Sequence, residues 1–118
     1  MKTTISKILY AYDTVLFAYL FGSYANGTHR EDSDVDVAVY MDEASLDMQL
    51  SLHHELEKRL KKDVDLVILN EVRNIYLLEA ILCEGIVLKE HEKRDMFEVR
   101  KNHEIIDFKN FKRYIDAA

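Results

Sequence analysis

A glycine-serine pair, followed ten residues later by two aspartates, is the part of this chain whose residue types and spacing could do chemistry. Gly22-Ser23 directly follows the apolar run Val15 to Phe21, so the glycine would lie where a strand ends and the backbone can approach phosphate groups closely. Ser23 would then begin a helical turn. Asp34 and Asp36 lie at the start of a second apolar run. A phosphate-binding turn beside two carboxylates predicts a site for nucleotidyl transfer.

The second apolar run predicts a strand with one acidic face and one apolar face. Side chains alternate along a strand, so Asp34, Asp36 and Ala38 would share one face and the intervening valines would share the other. The valine face belongs in a core. Two carboxylates on the remaining face repel each other unless a cation lies between them, and Mg²⁺ binds carboxylate oxygens together with substrate phosphates. The spacing therefore predicts a magnesium site.

A third carboxylate lies in the segment Lys62 to Leu69, which also has the pattern of a strand. Asp63 and Asp65 fall on one face of this segment, and Asp65 lies deeper in it. If this strand is the neighbour of the one that carries Asp36, three carboxylates converge. Such a cluster suits two metal ions that activate an attacking hydroxyl and stabilise a leaving pyrophosphate. We expect Asp65 to be the third metal ligand, with Asp63 as the alternative.

The elements that must position these residues form a small α/β domain. Apolar residues at helical spacing predict a first helix capped by Thr4 or Ser6, and a longer amphipathic helix that starts near Ser45. A further helix would start near Asn74 and end at Gly85, before a short edge strand. Together with the strands above, these elements predict a mixed, mostly antiparallel sheet.

The last part of the chain, residues 91–118, alternates charged residues with large apolar ones. This pattern predicts a helical extension beyond a domain of residues 1–90. Phe108, Phe111, Tyr114 and Ile115 recur at steps of three and four residues, so a helix would gather them into one apolar stripe. The extension either covers the domain's own core or faces a partner protein.

Composition limits the classes of protein that fit. A length of 118 residues with 48% hydrophobic residues suits one domain and one core, without a separate substrate-binding domain. The formal charge of −6 disfavours stable binding to nucleic acid or to an anionic membrane. No apolar run approaches the ~20 residues that span a bilayer. The single cysteine, Cys83, lies in an apolar segment, which predicts a buried thiol and fits a reducing cytoplasm.

Three segments together resemble the minimal nucleotidyltransferases of the DNA polymerase beta superfamily: Gly22-Ser23, Ser33-Asp34-Val35-Asp36 and Val64-Asp65-Leu66-Val67. The resemblance covers roughly residues 5–90. Within that superfamily the chain is most similar in size and layout to the MNT antitoxins, which are encoded beside HEPN-domain ribonuclease toxins. The resemblance implies a sheet with helices chiefly on one face, which leaves the acidic face open to nucleotide.

The resemblance also implies a reaction and a partner. A protein of this family would transfer AMP from ATP to a tyrosine of a HEPN toxin, with which it would form a hetero-oligomer in the cytoplasm. The triphosphate would bind at the glycine-serine turn, and the catalytic carboxylates, which bind two Mg²⁺ ions, would be Asp34, Asp36 and Asp65. Family members often carry arginine where this chain has Asn26, so Arg30 or another base would take over that phosphate contact.

Two other functions use the same residues. A small-molecule nucleotidyltransferase, of the kind that modifies aminoglycosides, has the same carboxylates but needs extra domains to hold its acceptor. An antitoxin that only occludes its toxin would carry a vestigial metal site, and the intact set of three acids counts against that alternative. The histidines add no metal site, because the side chains of His53 and His54 would point about 100° apart on a helix. His29, beside the turn, would either contact nucleotide or lie exposed.

Overall fold

The computed structural model describes residues 1–117 and contains one four-stranded sheet with helices packed around it. The strands are β1 Val15–Phe21, β2 Val35–Met41, β3 Val64–Ile68 and β4 Ile86–Lys89. The helices are α1 Lys2–Tyr10, α2 Ser23–Asn26, α3 Leu46–Leu60, α4 Ile75–Glu84 and α5 Lys93–Ala117. Every strand and helix that the sequence predicts is present, and only the positions of some ends differ.

Three chain segments meet at one end of the sheet. The strand order is β3-β2-β1-β4, with β1 antiparallel to β2 and β4 and with β2 parallel to β3. The parallel pair needs a crossover, which α3 supplies. The predicted mixed, mostly antiparallel sheet is confirmed. Because β2 and β3 run in the same direction and β1 runs against them, the amino-terminal ends of β2 and β3 lie beside the carboxyl-terminal end of β1.

Alternating side chains of the sheet contribute to two apolar layers, one on each face. The layer against α1 and α3 includes the buried residues Ile5, Leu9, Val37, Leu52 and Leu56. The layer against α4 and α5 includes the buried residues Phe17, Tyr19, Leu78, Ile81 and Phe97. Helices therefore pack on both faces, whereas the resemblance implies helices chiefly on one face. The large aromatic rings of β1 point to the face that α4 and α5 cover, and these helices bury them. Asp34 and Asp65 lie on the same face but remain exposed.

Capping residues define the starts of two helices as predicted. Ser45 and Asn74 accept hydrogen bonds from backbone N–H groups in the first turns of α3 and α4. Gly85 follows the last residue of α4, also as predicted. The prediction that Thr4 or Ser6 caps the first helix is wrong, because α1 begins earlier and both residues lie inside it. The Ser6 hydroxyl instead donates to a carbonyl oxygen of β4 at 2.8 Å, which ties α1 to the sheet.

Helix α5 has two different halves. In the first half Phe97 and Ile105 are buried in the apolar layer that includes residues of β1 and α4, at 4% and 5% exposure. In the second half, residues 106–117 are all exposed. The first half therefore covers the core of the domain. The second half is exposed but still contacts α4: the Phe108 and Tyr76 rings lie 5.7 Å apart between centres, and the Lys112 Nζ atom donates to the Tyr76 hydroxyl at 3.0 Å.

Cys83 does not carry the predicted buried thiol, since this residue is exposed. Helix α4 turns Leu78 and Ile81 towards the sheet. Cys83 is two positions beyond Ile81, about 200° further around the helix, and so it faces away from the sheet. Within the part of the chain that the structure describes, no helix has both the length and the apolar character to cross a membrane.

Candidate active site

The turn between β1 and α2 is shaped to approach a carboxylate. Gly22 has φ 71° and ψ −151°, in a region that only glycine populates readily. A Cβ atom on Gly22 would lie 2.2 Å from Oδ2 of Asp36, so glycine is also required for space. Ser23 begins α2, as the sequence predicts. The glycine-serine turn and the first carboxylate strand are therefore in direct contact.

Asp36 and Asp65 are directly paired across β2 and β3. Phe21, the last residue of β1, is paired with Asp36 on the other side. Asp36 is half-buried between these strands, whereas Asp65 and Asp34 are exposed. The structure thus brings together the three carboxylates that the sequence predicts. They lie at the end of the sheet where the glycine-serine turn follows β1.

The neighbouring carboxylates influence the protonation of Asp36. Burial raises the pKa of the Asp36 carboxyl, and the charges of Asp65 and Asp34 raise it further, as does a hydrogen bond to Asp65. Each of these causes disfavours the ionised form of Asp36. A cation bound among the three groups would remove the repulsion and favour ionisation. Without a cation, the site therefore disfavours the simultaneous ionisation of all three carboxyl groups.

The donor set fits a magnesium ion that takes part of its coordination from substrate. Among residues 1–117, no group of three or more His, Cys, Asp or Glu side chains is placed to hold a metal ion by itself. Asp34, Asp36 and Asp65 nevertheless supply hard carboxylate oxygens, the ligands that Mg²⁺ prefers. Phosphate oxygens and water would complete the coordination of an ion bound here.

The geometry favours Asp65 over the alternative, Asp63. Asp63 precedes β3, and its backbone carbonyl oxygen accepts a hydrogen bond from the Val35 N–H at 3.0 Å. Its side chain, together with that of Asp34, lines an open cleft of about 490 Å³ at the end of the sheet. Only Asp65 is paired with Asp36, so Asp65 is the better placed to share a ligand with it.

Asn26, where the family resemblance led us to expect arginine, has a local structural role. Its Oδ1 atom accepts hydrogen bonds from the Thr28 N–H at 3.1 Å and the Thr28 hydroxyl at 2.6 Å. These bonds shape the turn at Gly27, which has φ 81°. Asn26 thus fixes the path of the chain towards β2, and its side-chain oxygen cannot replace the positive charge of arginine.

Three side chains hold the loop that leads to Asp34. The His29 ring stacks on the Tyr24 ring, with the ring centres 4.2 Å apart and the planes at 13°. The Lys62 Nζ atom donates to the carbonyl oxygen of Glu31 at 2.9 Å and lies 5.9 Å from the centre of the Tyr24 ring. His29 is exposed, which was one of its two predicted states. The loop therefore reaches Asp34 already ordered by its own contacts.

Sequence reasoning missed two residues that contact the strand carrying Asp65. The side chains of His53 and Glu57, on α3, both bond to the backbone of Val64. Their spacing of four residues is the only sequence signal, since it places them on one face of a helix. The packing of α3 against β3 determines that this face of the helix contacts Val64.

Comparison with known proteins agrees with this geometry. Residues 3–94 match the family model described as "Polymerase beta, Nucleotidyltransferase". Putative protein adenylyltransferase MJ1379 of Methanocaldococcus jannaschii is 42% identical over 65 residues, which are 52% of this chain and 65% of that protein. Protein adenylyltransferase MntA of Shewanella oneidensis is 31% identical over 98 residues, which are 81% of this chain and 63% of that protein. The chain spans less than two thirds of the length of both relatives.

The fold is also found in solved structures. One described as a toxin-antitoxin with AMP-PNP superposes with a TM-score of 0.82 and 26% sequence identity. The superposition covers 98% of this chain and 95% of that one. It therefore includes the sheet, the glycine-serine turn and the carboxyl-terminal helix of the chain.

Proposed function

Because the chain belongs to the polymerase beta nucleotidyltransferase family, we propose that it transfers AMP from ATP to a tyrosine of a HEPN-domain toxin and thereby neutralises that toxin. The observation that carries this proposal is the pairing of Asp36 with Asp65 directly beside the turn at Gly22. Two relatives named as protein adenylyltransferases support the activity. The similar structure of a toxin-antitoxin with AMP-PNP supports the partner and the nucleotide.

ATP would bind with its triphosphate against the glycine-serine turn. Ser23 begins a helix, and the first N–H groups of a helix have no partner inside it, so they are free to donate to phosphate oxygens. The Ser23 hydroxyl would donate a further hydrogen bond. The missing side chain of Gly22 keeps this surface open beside Asp36.

The three carboxylates would hold Mg²⁺, which neutralises phosphate charge and makes the acceptor hydroxyl more acidic. Asp36 lies on β2, between β1 and β3. It would therefore serve both the part of the site at the glycine-serine turn and the part at Asp65. Asp34 lies two residues before Asp36 and Asp65 is paired with it from β3; both are exposed, so nucleotide and acceptor would have access to them.

The reaction forms one phosphorus–oxygen bond and breaks another. The acceptor oxygen attacks the α-phosphorus of ATP, the bond from that phosphorus to the oxygen bridging the α- and β-phosphates breaks, and pyrophosphate leaves. The hydroxyl proton passes to a carboxylate oxygen of Asp65. A tyrosine hydroxyl has an ordinary pKa of about 10, so it needs such activation near neutral pH.

The acceptor would come from another protein. Asp65 is exposed at the end of the sheet, which suits an acceptor side chain presented on the surface of a partner protein. This arrangement favours a protein acceptor over an aminoglycoside-like one.

Labelled ATP tests the reaction directly. The purified chain is mixed with Mg²⁺ and the toxin encoded beside it, and ATP is labelled on the α-phosphate in one sample and on the γ-phosphate in another. We expect label on the toxin only from the α-phosphate, and a peptide mass increase of one AMP group on a tyrosine. Asp36→Asn is the matched control and is expected to transfer none.

The same experiment separates the alternatives. Label that stays on small molecules, with the toxin unmodified, would indicate a small-molecule nucleotidyltransferase. Full inhibition of the toxin by Asp36→Asn, without any label transfer by the wild-type chain, would indicate occlusion and contradict the proposed reaction.

A further inference from the structure

The strand that carries Asp65 lies at the edge of the sheet. Within residues 1–117, β3 pairs with β2 and with no other strand. The carbonyl oxygen of Asp63 bonds to the Val35 N–H of β2 at 3.0 Å. Neighbouring residues of a strand direct their backbone groups to opposite sides, so Val64 directs its N–H and its carbonyl oxygen away from β2. These two groups need partners from outside the sheet.

Two side chains of α3 supply both partners. Oε2 of Glu57 accepts from the Val64 N–H at 3.0 Å. Nε2 of His53 lies 2.6 Å from the Val64 carbonyl oxygen, which can only accept, so the histidine donates. His53 and Glu57 are one helical turn apart, with Nε2 and Oε2 separated by 3.6 Å. The pair therefore makes the two hydrogen bonds that a further strand beside β3 would make with Val64.

We propose that His53 and Glu57 are positioning residues for AMP transfer, because they fix the backbone of Val64 and so hold Asp65 beside Asp36. The inference rests on the proposed function. Neither side chain is one of the three carboxylates, although Glu57 lines the same cleft as Asp34. Both bond to the backbone of Val64, the residue next to Asp65.

The site has a physical need for such a clamp. Asp36 and Asp65 are paired and repel each other when both are ionised. Strand β3 is only 5 residues long and has a neighbouring strand on one side only. Without the two bonds from α3, the repulsion would act on a short edge strand that is free to move away from β2. The clamp therefore opposes the repulsion before any metal binds.

Adjacent histidines provide a matched pair of variants. His53→Ala removes the bond to the Val64 carbonyl oxygen. His54→Ala makes the same change of residue type one position away, on an exposed part of the same helix. His53→Gln and Glu57→Gln retain a donor and an acceptor of similar reach. Rescue by these conservative variants would show that the hydrogen bonds, and not the ring or the charge, are what the site requires.

Steady-state transfer to the toxin gives the first readout. Removal of groups that orient metal ligands typically costs 10-fold to 100-fold, and here the effect passes through one backbone unit, so we expect kcat to fall about 10-fold in His53→Ala and in Glu57→Ala. The Mg²⁺ concentration for half-maximal rate should rise, and KM for ATP should change little, since the glycine-serine turn is untouched. His54→Ala should match the wild type. Equal rates in His53→Ala and His54→Ala would overturn the inference.

Amide hydrogen exchange in the metal-free protein gives a readout that does not depend on activity. Glu57→Ala should speed exchange at the Val64 N–H, which loses its acceptor, while Glu57→Gln should leave it protected. Unchanged exchange in Glu57→Ala would overturn the inference, even if the rate of transfer falls. A loss of kcat that only follows the fraction of unfolded protein in thermal melts would also overturn it. A wild-type chain that transfers no AMP, with the exchange results as expected, would overturn the proposed function instead.

Discussion

At the scale of single residues, the site depends on a close contact between a backbone and a carboxylate. Gly22 gives the turn a conformation that other residues avoid and leaves room for Asp36. Asp36 in turn lies against Asp65, and burial together with two neighbouring charges raises its pKa. Two consequences of this arrangement are measurable in single variants.

Gly22→Ala should abolish transfer and lower the melting temperature, because its Cβ atom would displace the Asp36 carboxylate. Gly27→Ala is the control: its φ is also positive, at 81°, but no atom lies within 4 Å of its added Cβ atom. The left-handed conformation alone should cost Gly27→Ala about 1–2 kcal/mol, and transfer should persist. Activity assays and thermal melts of both variants make the comparison. Equal losses of activity would mean that the contact with Asp36 is unimportant.

Asp36→Asn should lose transfer without losing stability at neutral pH. The folded-state pKa of Asp36 lies above its ordinary 3.8, so the folded state holds this proton more tightly than the unfolded chain. The stability from that proton is fully present below about pH 3.8 and is lost as pH rises through the raised pKa. The metal-free variant should therefore match or exceed the wild type near pH 7, with the advantage disappearing in acid. Melting curves across this range test it, and an advantage that is independent of pH would contradict it.

At the scale of elements, α5 completes the core of the domain with the first half of its length. The Phe97 ring lies 5.3 Å from that of Phe17 and 5.4 Å from that of Tyr40, between ring centres. The buried Tyr19 hydroxyl donates to Glu98 at 2.5 Å, and Arg94 also donates to Glu98, at 2.6 Å. Burial and the bond to Glu98 raise the pKa of Tyr19 above its ordinary value, so it remains a donor. The second face of the sheet therefore depends on α5 for its cover.

Phe97→Ala should destabilise the domain by about 3–5 kcal/mol, the usual cost of removing a buried aromatic ring. Met96→Ala, one position away and 72% exposed, should change stability by less than about 0.5 kcal/mol. Urea unfolding of the two variants provides the measurement. A Phe97→Ala variant as stable as Met96→Ala would show that α5 does not complete the core.

At the scale of the whole molecule, the excess negative charge lies in the first part of the chain, and a group of exposed apolar side chains lies near its carboxyl-terminal end. Residues 1–88 carry a formal charge of −7 and residues 89–118 carry +1. The exposed half of α5 displays Phe111, Tyr114 and Ile115, at 65%, 73% and 53% exposure. Exposed aromatic side chains grouped on one segment mark interaction surfaces. We expect the toxin to cover this end of the helix.

Simultaneous replacement of Phe111, Tyr114 and Ile115 by alanine should leave the melting temperature nearly unchanged and weaken toxin binding by several kcal/mol. Buried aromatic anchors at interfaces often cost about 2 kcal/mol or more each. The control is Met96→Ala combined with Val99→Ala, which removes exposed apolar groups from the first half of the same helix. Calorimetric titration of both variants with toxin tests the surface. Equal affinity of the two variants would place the interface elsewhere, while truncation after Leu88 should unfold the domain in either case.

The sequence alone was enough to predict the features that depend on short-range periodicity. Alternation along β2 places Asp34 and Asp36 on the face opposite the valines, because successive side chains of a strand point to opposite sides. A glycine at the end of an apolar run predicts the turn at Gly22 for a similarly local reason, its backbone freedom. Helix starts at Ser45 and Asn74 follow from side chains that bond to their own first turn. The family resemblance rests on these same local patterns.

Only the tertiary structure decided which of these features meet. The register of β2 and β3 places Asp65, and not Asp63, beside Asp36, although both share a face in the sequence pattern. The bonds of His53 and Glu57 to Val64 join a helix to a strand, and neither helix nor strand periodicity specifies that contact. The exposure of Cys83 and the two halves of α5 likewise depend on how each helix is rotated and where the sheet ends. The physical reason is the same in each case: periodicity assigns a residue to a face, but only long-range packing determines what that face contacts.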